Sequence, residues 1–167
     1  MFLPFPDDGH FDRDLLVFGE KKEKRPAALP AINDVWCYEN VFPTLLITTV
    51  DFTTTITNTL ENSGWPEEEI YAIVLSVTEA AVNANEHGNK GAADKNVYVE
   101  CSISDDMFFC SMQDEGEGFS PQDVPDPCQD ENLFVTHGRG LKLIDNFMSN
   151  VWFNGKGNKI FMVKTRG

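Results

Sequence analysis

Residues 66 to 87 constrain the fold more than any other stretch, because their pattern is that of a helix that cannot lie on an open surface. Ile70, Ile73, Val74, Val77, Ala81 and Ala84 recur at helical spacing and make one apolar face. Leu75 and Val82 project close to the opposite stripe, so the helix is apolar nearly all round and needs cover from other elements. Pro66 opens it, followed by Glu67, Glu68 and Glu69, acid suited to the positive end of a helix. The polar stripe that remains carries Glu79, Asn83 and Glu86 at i, i+4 and i+7. On an ordinary helix such a stripe is simply solvated. On a mostly buried one, a carboxylate is costly unless it has a task and a partner. A partly desolvated glutamate can act as a general base near neutral pH. The amide of Asn83, one turn on, offers a neutral oxygen to a hard cation such as Mg²⁺.

The rest of the chain supplies the cover. Val35, Cys37 and Val41 alternate with Trp36 and Tyr38 as in an edge strand. From Phe42 to Leu60, apolar residues at helical spacing predict a helix with Pro43 in its first turn, despite the many threonines, and Gly64 beyond its end. Val97, Val99, Cys101 and Ile103 alternate as a strand, and Phe108, Cys110 and Met112 alternate back after a turn at 104–106. A helix over about 138–148 buries Leu141, Ile144, Phe147 and Met148, and a hairpin pairs Val151–Asn154 with Ile160–Lys164. Residues 119–137 are rich in Pro and Asp with little periodicity, and so long a loop within a compact domain is usually functional. Residues 1–32 mix scattered Phe and Leu with a charge cluster (Glu20 to Arg25), Pro26 and Pro30, the composition of a flexible, solvated extension. One domain over 33–167 follows it.

Composition narrows the partners. A net charge of −14 repels phosphate backbones and anionic lipid, which disfavours direct nucleic-acid and membrane binding and favours a basic protein partner. Cys37, Cys101, Cys110 and Cys128 show no C-x-x-C spacing, so neither a zinc site nor a disulfide framework is expected. No apolar run approaches the ~18 residues of a membrane span, and the start lacks the basic and apolar regions of a signal peptide. The chain reads as cytoplasmic.

Two further segments carry chemistry. Asp114 continues the inward parity of Phe108, Cys110 and Met112, and an inward aspartate needs a donor, which the amino group of an adenine can supply. A turn or capping role is the plainer reading of a lone Asp-x-Gly. Gly116 and Gly118 permit close backbone approach, but their spacing is neither a dinucleotide fingerprint nor a P-loop. Phosphates must be met elsewhere, and Gly138-Arg139-Gly140 at a helix start offers unpaired N–H groups for them. Dipole terms of ~0.3–1 kcal/mol are too small against so acidic a chain, so Mg²⁺ and Arg139 or Lys142 must add to them. Gly138 reads otherwise as an N-cap, His87 as a packed or capping residue, and His137 as a loop residue.

Taken in order, Glu79-Ala-Ala-Val-Asn83 with Glu86-His-Gly88, Asp114-Glu-Gly-Glu-Gly118 and Gly138-Arg-Gly140-Leu141 resemble the motif boxes of the GHKL (Bergerat-fold) ATPases. The likeness is greatest to their anti-sigma factor serine/threonine kinases and covers about residues 35–167. It implies an α+β two-layer sandwich, with a mixed, mainly antiparallel sheet and helices on one face. It also implies ATP and Mg²⁺ as cofactors, Glu79 as catalytic base and Asn83 as metal ligand. Asp114 would anchor adenine with Gly116 and Gly118 beside it, 119–137 would form a lid, and Gly138, Arg139, Gly140 and Leu141 would line the phosphates. The activity implied is phosphorylation of a STAS-type anti-anti-sigma partner together with sequestration of a sigma factor, commonly as a homodimer. The sequence departs from the family at Asn85, where an apolar residue is common, and at Gly157-Asn158, where Gly-Thr is frequent. Two other readings stand beside the kinase: an ATP-binding interaction module with negligible catalysis, and a domain that phosphorylates histidine elsewhere, ranked last because no histidine-bearing helix precedes it.

Overall fold

A computed structural model describes residues 16–17, 36–47, 50–118 and 136–167. Its strands are β1 (Leu16–Val17), β2 (Trp36–Pro43), β3 (Asn96–Ile103), β4 (Met107–Asp114), β5 (Asn150–Phe153) and β6 (Lys159–Thr165). They form one six-stranded sheet in the order β1-β5-β6-β4-β3-β2. The helices are α1 (Val50–Asn62), α2 (Glu67–Val82) and α3 (Thr136–Phe147). The expected two-layer α+β class is what the chain adopts. Every pairing among the described strands is antiparallel, where a mixed sheet was implied.

Alternation explains which face of the sheet is covered. Val97, Val99, Cys101 and Ile103 of β3 and Phe108, Cys110 and Met112 of β4 turn to one side and are buried. They meet Phe52, Ile56 and Leu60 of α1, Ile73 and Val77 of α2, and Leu141 and Ile144 of α3 in one core. Cys101 and Cys110 face each other across the strands with sulfurs 2.9 Å apart, as free thiols within that core.

The helix expected from Phe42 begins later. Phe42 and Pro43 finish β2, which pairs with β3 from Trp36↔Ile103 to Pro43↔Asn96; a single 3₁₀ turn (Thr44–Leu46) intervenes, and α1 starts at Val50. Leu45 and Leu46 fitted a helical period, yet both are exposed. Sheet pairing decided the matter, since β2 completes the ladder beside β3 and proline ends it without losing a bond. Within α1 the threonines are accommodated by back-bonding: Thr55, Thr57 and Thr59 donate to Asp51, Thr53 and Thr55 carbonyls at 2.9, 2.8 and 2.8 Å. Gly64, at φ +69°, ends the helix, and its carbonyl and that of Ser63 accept hydrogen bonds from Arg166.

The central helix also differs from a simple α-helix. After Val82 the chain widens into a π-helix over Asn83–Gly88, in which the Asn89 N–H reaches back five residues to the Ala84 carbonyl at 2.8 Å. Glu86, within that turn, is exposed. Likewise α3 begins at Thr136, so Gly138 is not its N-cap and His137 belongs to the helix rather than a loop. His87 is exposed. Of the expected extension, Leu16 and Val17 pair with Phe153 and Trp152 of β5 at the sheet edge. Its other residues, and 119–135 of the expected lid, lie outside the described residues.

Candidate nucleotide site

The site runs along the C-terminal half of α2 and its π continuation. At one end, Asp114 closes β4 beside Gly88. A Cβ on Gly88 would overlap the Asp114 carboxylate, so only a glycine lets the helix end sit against it. The next turn is equally tight: the Gly116 N–H donates to Asp114 Oδ1 at 2.7 Å, and a Cβ on Gly116 would strike the Gly88 carbonyl. Burial raises the Asp114 carboxyl above its usual range. The N–H groups of Gly116 and of Asp114 itself, then Lys156 and Lys95, offset only part of this.

The β5–β6 turn braces this end. Asn158 is buried and donates from Nδ2 to the Asp114 carbonyl at 2.8 Å, while the Asp114 N–H donates to the Asn158 carbonyl at 3.0 Å. Lys156 Nζ donates to the Gly116 carbonyl at 2.8 Å. Gly118, at φ +79°, lies against the Lys156 carbonyl, where a side chain has neither room nor a comfortable conformation. Asn158 therefore fills the position of the departure from Gly-Thr with a structural role.

At the other end, Glu79 is half-buried and its carboxylate packs on Gly140 of α3, where a Cβ would overlap it. Asn83, one turn along, has its Nδ2 buried with no hydrogen-bond partner among the described residues. An orphaned buried amide is expensive, and a ligand that pairs with it recovers the cost. Rotation of the amide about its terminal bond presents either the oxygen or the nitrogen to a ligand. From Glu79 to Gly88 the helix advances on the order of 13 Å, comparable with an extended nucleoside triphosphate.

Leu141 is buried in the core, where it packs α3. Arg139 is exposed and lines a surface pocket with Lys142, Leu143, Asn146 and Phe147. Among the described residues no group of three or more His, Cys, Asp or Glu could hold a metal. A cation held by Asn83 alone would need ligand oxygens from the nucleotide and water, the habit of Mg²⁺. The orphaned amide and the glycine cradle fit both groups.

Gly88, Lys156 and Asn158 had no role assigned from sequence. Gly88 stood within a noted segment, but nothing local marks a helix glycine as the floor for a strand-end aspartate. The packing of Gly140 also yields a prediction. Gly140→Ala is expected to displace the Glu79 carboxylate, the movable partner, and to leave the melting temperature within a few degrees. Any reaction that uses Glu79 as its reacting group should slow at least ~10-fold, since misplacing such a group by ~1 Å can cost ~10²-fold. Single-turnover assays on the folded variant check this, and an unchanged rate removes Glu79 from the reacting position.

A family model for the histidine kinase-like ATPase domain matches residues 42–164, which include every residue of the site. An anti-sigma F factor of Oceanobacillus iheyensis is 30% identical over 102 residues, 58% of this chain and 70% of the relative. Another, of Halalkalibacterium halodurans, is 36% identical over 90 residues, covering 50% of this chain and 59% of the relative. One of Bacillus licheniformis is 30% identical over 91 residues, with the same shares. The chain thus spans little more than half the length of the latter two. An ATPase domain with these relatives implies ATP as the nucleotide. The chain belongs to the histidine kinase-like (GHKL) ATPases, in the family that contains the anti-sigma factors.

Proposed function

We propose that the chain is an ATP-dependent protein-serine/threonine kinase that also acts as an anti-sigma factor. The observation that carries this reading is the placement of Glu79 on Gly140, one turn from the orphaned amide of Asn83 and at the far end of the helix from Asp114. Asp114 would accept from the adenine amino group, with Gly88 and Gly116 keeping the approach clear. The N–H groups at the start of α3 would face the phosphates. Bound Mg²⁺, held by Asn83, would neutralise phosphate charge. Glu79 would then take the proton of an acceptor hydroxyl as its oxygen bonds to the γ-phosphorus and ADP departs with the bridging oxygen.

The acceptor in this reading is a serine or threonine on a small STAS-type anti-anti-sigma protein. The names of the relatives support a sigma factor as the second partner. A net charge of −14 suits a basic patch on it. A homodimer and a cytoplasmic location belong to the same proposal. Among the described residues no helix is long and apolar enough to cross a membrane. Incubation with γ-labelled ATP and candidate STAS proteins of the same organism tests it. Label on a STAS serine or threonine is the expected result. Sigma-factor binding that depends on ATP, without label on any of them, would favour the interaction module instead.

A further inference from the structure

Asn89 lies just beyond the π-helix and is buried to 1% exposure, with every bond of its side chain directed to a different element. Its Nδ2 donates to Thr44 Oγ1 at 2.8 Å and to the Asn96 carbonyl at 2.9 Å, and its Oδ1 accepts the Glu115 N–H at 2.8 Å. Thr44, also buried, donates a hydrogen bond from its own hydroxyl to the Lys95 carbonyl at 2.8 Å. The amide is thus a satisfied buried junction between the 3₁₀ turn after β2, the start of β3 and the turn after β4.

The junction sits where the site needs rigidity. Gly88 precedes Asn89 and floors the Asp114 carboxylate; Glu115 follows Asp114 and is held by Asn89 Oδ1. One residue pair therefore touches both sides of the aspartate. On the same helix, Asn89 N–H closes the π turn onto Ala84, which sets the path of the backbone from Asn83 onward. Glu115 is fixed a second time by its own carboxylate, which accepts the Asn96 N–H at 2.6 Å.

We infer that Asn89 is a positioning residue for the nucleotide base: its Oδ1 bond to the Glu115 N–H holds Asp114 against Gly88 in the geometry that meets the ligand. This rests on the reading of Asp114 as base anchor. The amide's two functions separate by atom. Nδ2 joins Thr44 and Asn96 and supports the fold, whereas Oδ1 grips the Asp114 turn.

The test compares Asn89→Ala with Asn89→Asp. Both lose the donors and should melt lower. Only the alanine loses the acceptor. ATP affinity, measured by calorimetry with magnesium where each variant is folded, should fall roughly 10- to 100-fold in Asn89→Ala and only about 3-fold or less in Asn89→Asp. Should the alanine variant not fold, Asn89→Ser takes its place. Combined with Asp114→Asn, Asn89→Ala should add little further loss, because both act through one contact. Equal losses in the alanine and aspartate variants, or additive losses in the double variant, would overturn the inference. Amide hydrogen exchange gives an arm that needs no nucleotide: Glu115 and Gly116 should lose protection in Asn89→Ala while the middle of β4 keeps it. Were the parent protein to bind no ATP, the proposed function would fail and this exchange pattern alone would decide whether Asn89 holds the turn. Unchanged protection there would end the proposal.

Discussion

Glu79→Ala is expected to leave ATP affinity within a few-fold of the parent and to slow phosphoryl transfer by ~10²–10⁴-fold, the usual reach of a positioned general base. The half-buried carboxylate ends on the backbone of Gly140, so removing it deletes a proton acceptor and takes no known nucleotide contact away. Asn83→Ala should behave differently. Its buried amide has no partner among the described residues, and in the proposed function it holds the metal at the phosphate end, so magnesium-dependent binding and transfer should decline together. Single-turnover transfer and calorimetry on both variants separate the roles. Transfer at the parental rate in Glu79→Ala would remove Glu79 as the general base, whereas a parent protein that transfers no phosphate would leave the chain as a binding module.

Asp114→Asn is expected to weaken ATP binding roughly 10- to 150-fold, the loss of one charge-assisted hydrogen bond at ~1.5–3 kcal/mol. The geometry sharpens the reason. Oδ1 already accepts the Gly116 N–H, so an asparagine keeping that bond turns its NH₂ toward the ligand's own amino group. The fold should not suffer. Burial raises the carboxyl of Asp114 in the folded state, so its contribution to stability is full below the ordinary aspartate range and lost as pH rises through the raised value. At neutral pH the nucleotide-free asparagine variant should therefore be as stable as the parent or more so. Chemical denaturation at pH 7 and near pH 4 checks this: the variant's advantage should shrink at the lower pH. An unchanged ATP affinity in folded variant would remove Asp114 from the base site.

How far the sequence determined these assignments varies with the range of the interaction. The apolar wrap of residues 66–87 required a covered helix, and the alternation of 97–103 and 108–112 required adjacent strands with one buried face, because local periodicity reports which face is dry. The same parity turned Asp114 inward. Local pattern failed where two periods fitted the same residues. Phe42, Leu45 and Leu46 satisfied a helix, yet ladder pairing with β3 kept Phe42 in a strand and left both leucines exposed.

Only the tertiary structure decided the distances across the site. Gly88 and Asp114 are far apart in the chain, as are Gly140 and Glu79, and Lys156 and Gly116. Gly88 meets Asp114 where the central helix ends against β4, Gly140 meets Glu79 where α3 packs beside α2, and Lys156 meets Gly116 because β6 pairs with β4; contacts of this kind are invisible one residue at a time. The π turn after Val82 and the junction at Asn89 belong to the same class. Sequence alone named the carboxylates and glycines that chemistry required, since residue type fixes what a side chain can donate or accept. Tertiary packing alone chose which glycine shelters which carboxylate, because that choice depends on van der Waals contact between segments no local pattern connects.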